Sequence, residues 1–170
     1  MTKAPARLDV TRTKTVSWAD PKATATLGRD VSGLEFLTRW TQGEQANPPI
    51  GELIGFHLTS VEEGAVEFTC VPDESVYNPI GMVHGGLACT LLDSAAGCAV
   101  HSTLPAGVGY SSIEIKVSFM RPIHADTGPI IARGWVTKPG KRVCFADAEL
   151  RDADGKLLAT ASSSCLVAPV

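Results

Sequence analysis

A single charged residue, Asp93, interrupts an otherwise apolar run of small and aliphatic side chains between residues 85 and 100. At helical spacing the run forms two adjacent apolar stripes, made of Leu87, Leu91, Ala95 and Ala99 and of Ala88, Leu92, Ala96 and Val100. A helix that is apolar on nearly all sides is normally buried inside a domain. The sequence therefore predicts a buried central helix, whose carboxylate must recover the cost of lost hydration through partners or through a function.

The segments around this helix have the period of β-strands. Two strands are predicted before it, over residues 53–60 and 65–71, and four after it, over residues 112–119, 130–137, 142–151 and 156–167. The alternation is clearest in the third, where Ile113, Ile115, Val117 and Phe119 predict one buried face. Short links between consecutive strands favour antiparallel pairing. We therefore expect an α+β fold in which an antiparallel sheet wraps around one long buried helix.

The first 32 residues show neither the helical nor the strand period of the later segments. Residues 1–32 are rich in Thr, Lys and Ala without a clear period, so we interpret them as an arm that is loosely ordered or lies across a neighbouring subunit. Ser32-Gly-Leu-Glu35 resembles a capping box and predicts a short helix near residues 33–43, after which residues 47–49 form a linker. The expected organisation is an arm, residues 1–32, and one domain, residues 33–170.

Composition restricts the class of protein. The chain has 15 basic and 18 acidic residues, a net charge of −3, which favours neither nucleic acid nor a membrane surface as a partner. Its five cysteines lack C-x-x-C spacing and are interpreted as reduced, buried thiols. The N-terminal residues lack the apolar segment of a secretory signal, so a cytoplasmic location is expected. No set of His, Cys and Asp has the spacing of metal ligands, so we predict neither a metal nor another cofactor.

His84-Gly85-Gly86 stands at the start of the predicted helix, where backbone N–H groups lack partners and the helix dipole is positive. Glycine lets a ligand approach these amides closely, which suits an oxyanion such as a carbonyl oxygen under attack. The alternative is that the glycines only allow a tight entry into the helix. Lipase-like hydrolases share the three residues but need a Gly-x-Ser-x-Gly motif, which this sequence lacks.

Asp93 follows Gly85 by eight residues, which is about 12 Å along a helix by its rise per residue. If both groups act on one carbonyl, Asp93 of one chain has to meet Gly85 of another, and the small residues beside Asp93 have to face a partner surface. This geometry predicts a dimer. The alternative is a hydrogen-bonded carboxylate with a structural role only.

Other polar residues give weaker signals. Asn78 and His84 flank the turn before the helix, where they can orient each other or a substrate carbonyl. A basic group able to hold phosphates is predicted from Lys138-Pro-Gly-Lys141-Arg142 with Arg121, although a solvated turn explains the same residues. The histidines without a partner at ligand spacing are interpreted as surface or hydrogen-bonded side chains: His57, His101 and His124.

Two stretches together resemble a known family. Asn78-x-x-Gly81-x-x-His84-Gly85-Gly86, followed by Asp93-x-x-x-Gly97, is similar to the PaaI-type acyl-CoA thioesterases of the hotdog superfamily. The later segment from Ser112 to Arg121-Pro122 resembles the next strand of that family and its Arg-Pro ending. The resemblance covers roughly residues 33–168 and implies the hotdog fold.

The resemblance also implies a reaction, the hydrolysis of an acyl-CoA thioester to a free acid and coenzyme A. It assigns Asp93 as the nucleophile or general base and the Gly85 amide as the oxyanion hole. Asn78, His84 and Ser112 would orient the carbonyl or place the attacking water. Further substrate contacts are expected from Gly86, Ser111, Arg121, Lys141 and Arg142.

In this family the site lies across a dimer interface, with Asp93 and Ser112 from one chain and Asn78, His84 and Gly85 from the other. A homodimer acting on acyl-CoA is therefore expected, with dimers pairing into tetramers. Two alternatives stay open, a hotdog hydratase or dehydratase that uses His84 with Asp93, and a protein that binds acyl-CoA without catalysis. The acyl group and the direct or water-mediated role of Asp93 are also open.

Overall fold

The structure, a computed structural model, describes residues 11–170. It contains four α-helices, α1 (Pro21–Leu27), α2 (Gly33–Thr41), α3 (Pro49–Ile54) and α4 (Gly85–His101), within this described range. The strands in the same range are β1 (Phe56–Glu62), β2 (Ala65–Cys70), β3 (Val108–Phe119), β4 (Ile130–Lys138), β5 (Val143–Asp152) and β6 (Leu157–Pro169).

The six strands form one antiparallel sheet in the order β1-β2-β4-β5-β6-β3. Helix α4 packs against one face of this sheet and contacts every strand. The predicted order of two strands, one long helix and four strands is confirmed, as is the α+β class.

Small residues allow α4 to lie very close to the sheet. The eight residues of the two predicted apolar stripes are all buried, which confirms the central helix. A Cβ added to Gly134 on β4 would collide with the backbone of Ala95, so the absence of a side chain there sets the distance between helix and sheet. Alanines of the facing strands continue the same close packing: Ala132, Ala146, Ala148, Ala159 and Ala161.

Two short helices were not predicted. Helix α1 lies inside the expected arm, where the Asp20 side chain accepts a hydrogen bond from the Lys22 N–H and Pro21 occupies the first turn. Helix α3 begins at Pro49, where a linker was expected, and ends at Gly55, which has a positive φ of 85°. As a result the first strand begins at Phe56 rather than residue 53. Proline at the first helical position and glycine just past the last are the signals that sequence analysis overlooked.

The described part of the arm contacts its own chain. Lys14 Nζ donates to Asp73 Oδ2 at 3.0 Å, and Arg12 pairs with Glu74 at 2.5 Å. Hydrogen bonds from Ser75 and Lys14 lower the pKa of the Asp73 carboxyl to about 2. These contacts tie residues 12–14 to the segment before α4, whereas the first ten residues of the arm lie outside the described range.

The capping box that begins α2 is half formed. The Ser32 hydroxyl accepts a hydrogen bond from the Glu35 N–H at 3.2 Å, which supports the predicted start of the helix. The Glu35 side chain pairs with Arg39, one turn further on, instead of returning to residue 32.

Strand β3 departs from the simple alternation expected of it. A β-bulge between Ser112 and Glu114 shifts its register against β6. Ile113 at the bulge is 56% exposed and Phe119 at the end of the strand is 59% exposed. The expectation that both lie on the buried face is wrong, because the bulge changes the direction of the side chains and β3 is an edge strand.

All five cysteines are free thiols, as predicted. Cys70, Cys144 and Cys165 are fully buried, whereas Cys89 and Cys98 are only partly buried, so the expectation of burial is wrong for these two. No helix within residues 11–170 is long and apolar enough to cross a membrane.

Candidate active site

The first turn of α4 is capped by the residue before it. His84 has extended dihedral angles, and its Nδ1 accepts a hydrogen bond of 2.8 Å from the N–H of Gly86. Because Nδ1 accepts, the neutral ring carries its proton on Nε2, and the side chain is exposed. His84 can therefore donate to a group outside the chain. The amide of Gly86, predicted to contact substrate, is already bonded to this ring.

The Gly85 amide is the first N–H of α4 and makes no hydrogen bond within residues 11–170. A Cβ added here would lie 3.1 Å from the ring of Phe119, so a larger residue would press against that ring. The positive end of the helix dipole strengthens the attraction of the free amide for negative charge. An unpaired N–H in this position has the chemistry of an oxyanion hole.

Asn78 organises the loop that leads into α4. Its Oδ1 accepts hydrogen bonds from the N–H groups of Ile80 and Met82, each at 3.1 Å. The loop is tied to the helix start because the His84 N–H donates to the Val76 carbonyl at 2.8 Å. Asn78 and His84 do not hydrogen-bond to each other, so the interpretation that they orient each other is wrong. That they orient a substrate stays a prediction.

Asp93 lies in the middle of α4 on the side that faces β3. Its Oδ1 accepts a hydrogen bond of 2.8 Å from the Ser112 hydroxyl. The Ser111 side chain makes no hydrogen bond in the described part of the chain. Neighbouring residues of a strand point to opposite faces, so the structure brings only one of the two predicted serines to the carboxylate.

Asp93 is half-buried rather than enclosed. It opens into a cleft of about 470 Å³ between α4 and β3, lined by Cys89, Thr90, Asp93, Ser112, Ile113, Glu114 and Ile115. The expectation of a buried carboxylate is therefore wrong for a single chain, because β3 is the last strand of the sheet and leaves this side of the helix open.

Glu114 is a second carboxylate of this cleft, and sequence analysis missed it. The alternation of β3 placed it on the solvent side, and the bulge beside it was not predicted. Its Oε2 accepts a hydrogen bond of 3.3 Å from Ser164 on β6.

Burial keeps two thiols near Asp93 protonated. It raises the pKa of Cys98 to about 12 and also raises the pKa of Cys165. The same cause raises the pKa of Tyr110, whose hydroxyl lies 2.5 Å from where a Cβ on Gly97 would stand. A thiol attacks only as a thiolate. These groups therefore do not compete with the carboxylates as nucleophiles.

The predicted basic group is divided between the two ends of β6. The Arg121 guanidinium donates to the Leu157 carbonyl at 2.5 Å, whereas the Arg142 carbonyl accepts from the Val167 N–H at 2.9 Å. Ten residues of strand separate these contacts, roughly 33 Å. Lys141 lines a separate cleft of about 820 Å³ near the Arg142 end. Arg121 and Lys141 of one chain therefore do not hold the same phosphate group, so the inclusion of Arg121 in the basic group is wrong. The group formed by Lys138, Lys141 and Arg142 stays a prediction.

His101 also differs from its interpretation as a surface or hydrogen-bonded side chain. It packs between the rings of Phe36 and Tyr110, each 5.8 Å away between centroids, and its Nδ1 has no partner within the described residues. Burial lowers its pKa. His101 lies at the far end of α4 from Gly85. No group of three or more His, Cys, Asp or Glu in residues 11–170 is placed to hold a metal ion.

The two central groups of the site do not meet within one chain. Gly85 and Asp93 are on the same helix, about 12 Å apart by its rise per residue. Within residues 11–170, strand β3 beside them pairs with β6 only, so in this range the N–H and C=O groups of its other edge are free for pairing. A long open edge of this kind is a template for a second strand.

Comparison with known proteins identifies the family. A family model described as the thioesterase superfamily matches residues 80–159, the segment that contains α4, β3, β4 and β5. Acyl-coenzyme A thioesterase 13 of Homo sapiens is 32% identical over 103 residues, which are 60% of this chain and 72% of that protein. The chain belongs to the thioesterase superfamily. Membership places it in a family of thioester hydrolases.

Solved structures support the thioesterase fold. A phenylacetic acid degradation-related protein of Ralstonia eutropha is 32% identical, with a TM-score of 0.69 that covers 76% of this chain and 98% of that chain. The PaaI protein of E. coli has a TM-score of 0.69 over 79% of this chain and 95% of that chain, and at 22% identity it shows the fold alone. The PaaI-type hotdog resemblance is confirmed.

The match to other curated relatives is shorter. It covers 44% of an esterase of Halobacterium salinarum and 58% of one of Saccharolobus solfataricus, about half the length of each.

Proposed function

We propose that this thioesterase hydrolyses acyl-CoA to a free acid and coenzyme A, with Asp93 as nucleophile or general base and the Gly85 amide as oxyanion donor. The 2.8 Å hydrogen bond from Ser112 to Asp93 in an open cleft is the observation that carries the proposal. It fixes one carboxylate oxygen, while the other accepts no hydrogen bond from the described residues and can act on a substrate or water. Human acyl-coenzyme A thioesterase 13 as a relative supports the substrate class.

The chemistry needs few groups because thiolate is a good leaving group. As a general base, Asp93 takes a proton from water while the water oxygen attacks the thioester carbon, and the Gly85 N–H stabilises the negative carbonyl oxygen. The intermediate then breaks its C–S bond, and the thiolate receives the proton from Asp93. As a nucleophile, Asp93 would instead form a mixed anhydride with loss of the thiolate, and water would hydrolyse the anhydride.

A second copy of the chain is part of the proposal. Two-fold pairing of the free β3 edges would be antiparallel, and we expect it to bring the helix start of one protomer near the middle of α4 in its partner. Gly85, His84 and Asn78 of one chain would then act with the partner's Asp93 and Ser112. Further pairing of dimers into tetramers stays a prediction.

The first test is Asp93→Asn, assayed by release of free thiol from a panel of acyl-CoA esters. The amide can neither accept a proton nor attack the thioester, so we expect kcat/KM to fall by at least about 100-fold. The matched control is Asp154→Asn. Asp154 is an exposed carboxylate in the β5–β6 turn that pairs with Lys156, so this variant should keep native turnover. Thermal unfolding of both variants checks that they fold.

Two results would contradict the proposal. Near-native turnover by Asp93→Asn would remove the residue from the chemistry. Binding of acyl-CoA by the native protein without any thiol release would identify a protein that binds acyl-CoA without hydrolysing it.

A further inference from the structure

An apolar cavity of about 380 Å³ lies directly beside the Gly85 amide. Three elements form it, the first turns of α4, the segment that follows β3, and the start of β6. Its apolar lining includes Met82, Ala88, Phe119, Met120, Ile123 and Leu158.

The floor of this cavity is formed by buried residues. Ala88 and Ala159 lie in it with 2% and 1% of their surface exposed, and Ile123 and Leu158 beside them are also buried. Two of these residues are alanines, and their small side chains leave the space that forms the cavity.

At the mouth of the cavity, by contrast, the side chains are large and exposed. Phe119 and Met120 are 59% and 50% exposed, so two large apolar side chains stand in water around the opening. Adjacent exposed apolar side chains of this size mark a surface that a ligand or partner covers. Phe119 also contacts Gly85, which joins the mouth of the cavity to the proposed oxyanion hole.

Few polar groups line the cavity. They are His84, the Gly85 amide and Arg121, whose guanidinium is bonded to the Leu157 carbonyl. A ligand that matches this distribution has an apolar body and one carbonyl oxygen at the point of entry.

We infer that this cavity receives the acyl group of the substrate and that its size selects compact acyl groups, either short chains or a single ring. The inference rests on the proposed thioesterase function. With the carbonyl oxygen on the Gly85 amide, the acyl carbons enter the cavity and the coenzyme stays outside. A volume of 380 Å³ is near the low end of the roughly 300–1,000 Å³ of small-molecule sites, so a long chain would extend beyond the cavity and gain no further contact with its lining.

The cleft at Asp93 is a poorer place for an acyl chain. Beside the apolar Cys89, Ile113 and Ile115, it contains the carboxylates of Asp93 and Glu114 and the hydroxyl groups of Thr90 and Ser112. Apolar carbons there would strip water from charged groups without replacing their hydrogen bonds, which is costly. The cleft suits attacking water, and the cavity suits the chain.

The test compares kcat/KM over acetyl-, butyryl-, hexanoyl-, octanoyl-, lauroyl- and benzoyl-CoA. Ala88→Val adds two methyl groups to the inner wall of the cavity. It should lower kcat/KM for hexanoyl- and benzoyl-CoA by about tenfold or more relative to acetyl-CoA, as expected for one misfitting methylene. Met120→Ala opens the mouth and should move the optimum toward longer chains. Because Met120 is half exposed, this variant should fold even if Ala88→Val does not.

Leu53→Ala is the control, since Leu53 is a similarly exposed apolar side chain on α3 that lines neither the cavity nor the cleft. It should keep the native dependence on chain length. Equal losses for every ester in Ala88→Val, with no change of optimum in Met120→Ala, would overturn the inference and show that the cavity does not hold the acyl group. If the native protein releases no thiol from any ester, the proposed function fails first, and this inference with it.

Discussion

Ser112 holds Asp93 through one short hydrogen bond, and this contact is the clearest functional detail at the level of single residues. A carboxylate in an open cleft has several side-chain conformations available, and the hydroxyl donor selects one of them. In the proposed mechanism, the fixed carboxylate acts on the substrate without first having to reorient.

Replacing Ser112 by Ala should therefore lower kcat by roughly tenfold to 100-fold, the worth of one hydrogen bond to a charged group. Ser112→Thr retains a hydroxyl and should recover part of the loss. Ser111→Ala is the comparison variant and should cost clearly less, because its side chain is not bonded to Asp93. Steady-state kinetics on the best ester measures all three, and a larger loss for Ser111→Ala than for Ser112→Ala would contradict the assignment.

At the scale of whole elements, the placement of α4 depends on the absence of a side chain at residue 134. The backbone of Ala95 occupies the space that a Cβ on Gly134 would need. Neither the helix backbone nor the central strand β4 can move without disturbing its neighbours, since interiors are packed as densely as organic crystals.

Gly134→Ala should therefore destabilise the protein by about 1–3 kcal/mol or more, the cost of overpacking a core. Urea unfolding, with Ser162→Ala on the opposite face of β6 as the control, measures the difference. A free energy of unfolding equal to that of the native protein would show that the helix can move away from the sheet at little cost.

Elements with a strong local signal were predictable. The apolar run 85–100, the capping serine Ser32 and the alternating strands all act within a few residues, and the structure has each of them. Helices α1 and α3 were missed because they are one or two turns long and lack apolar stripes, although Pro21, Pro49 and Gly55 mark their ends.

Sequence analysis could nominate residues of the candidate site but not their surroundings. Asp93 and Gly85 were nominated from the pattern of the helix and Ser112 from the family resemblance, and the roles of all three stay predictions. The exposure of Ile113 and the entry of Glu114 into the cleft depend on a β-bulge, which arises from pairing with β6 and has no local signature. The separation of Arg121 from Lys141 depends on the length of β6, which spacing along the chain does not reveal.

At the scale of the whole molecule, one chain contains the two halves of the proposed site, but not side by side. The helix start offers an amide and an apolar cavity but no carboxylate, whereas the middle of the same helix offers Asp93 beside an open strand edge. Because Gly85 and Asp93 are fixed on one rigid helix, motion within the chain cannot bring them together. Pairing of two β3 edges would cover the exposed strand edge of each chain. It would also bring the helix start of one chain to Asp93 of the other.

The most direct measurement combines two inactive variants in one dimer. Asp93→Asn removes the carboxylate. Gly85→Pro removes the amide N–H. Proline is tolerated at this first helical position, and the preceding residue, His84, has φ −63° and ψ 136°, a conformation compatible with a following proline. Phe119 is exposed enough to move aside for the proline ring.

Each variant alone should release almost no thiol from acyl-CoA. When the two are co-expressed with different tags and the mixed dimer is purified, one of its two sites contains a native Asp93 and a native Gly85 from opposite chains, so thiol release should return. Mixed dimers as inactive as either parent would contradict a site shared between chains, and a fully active Gly85→Pro protein would contradict the role of the amide.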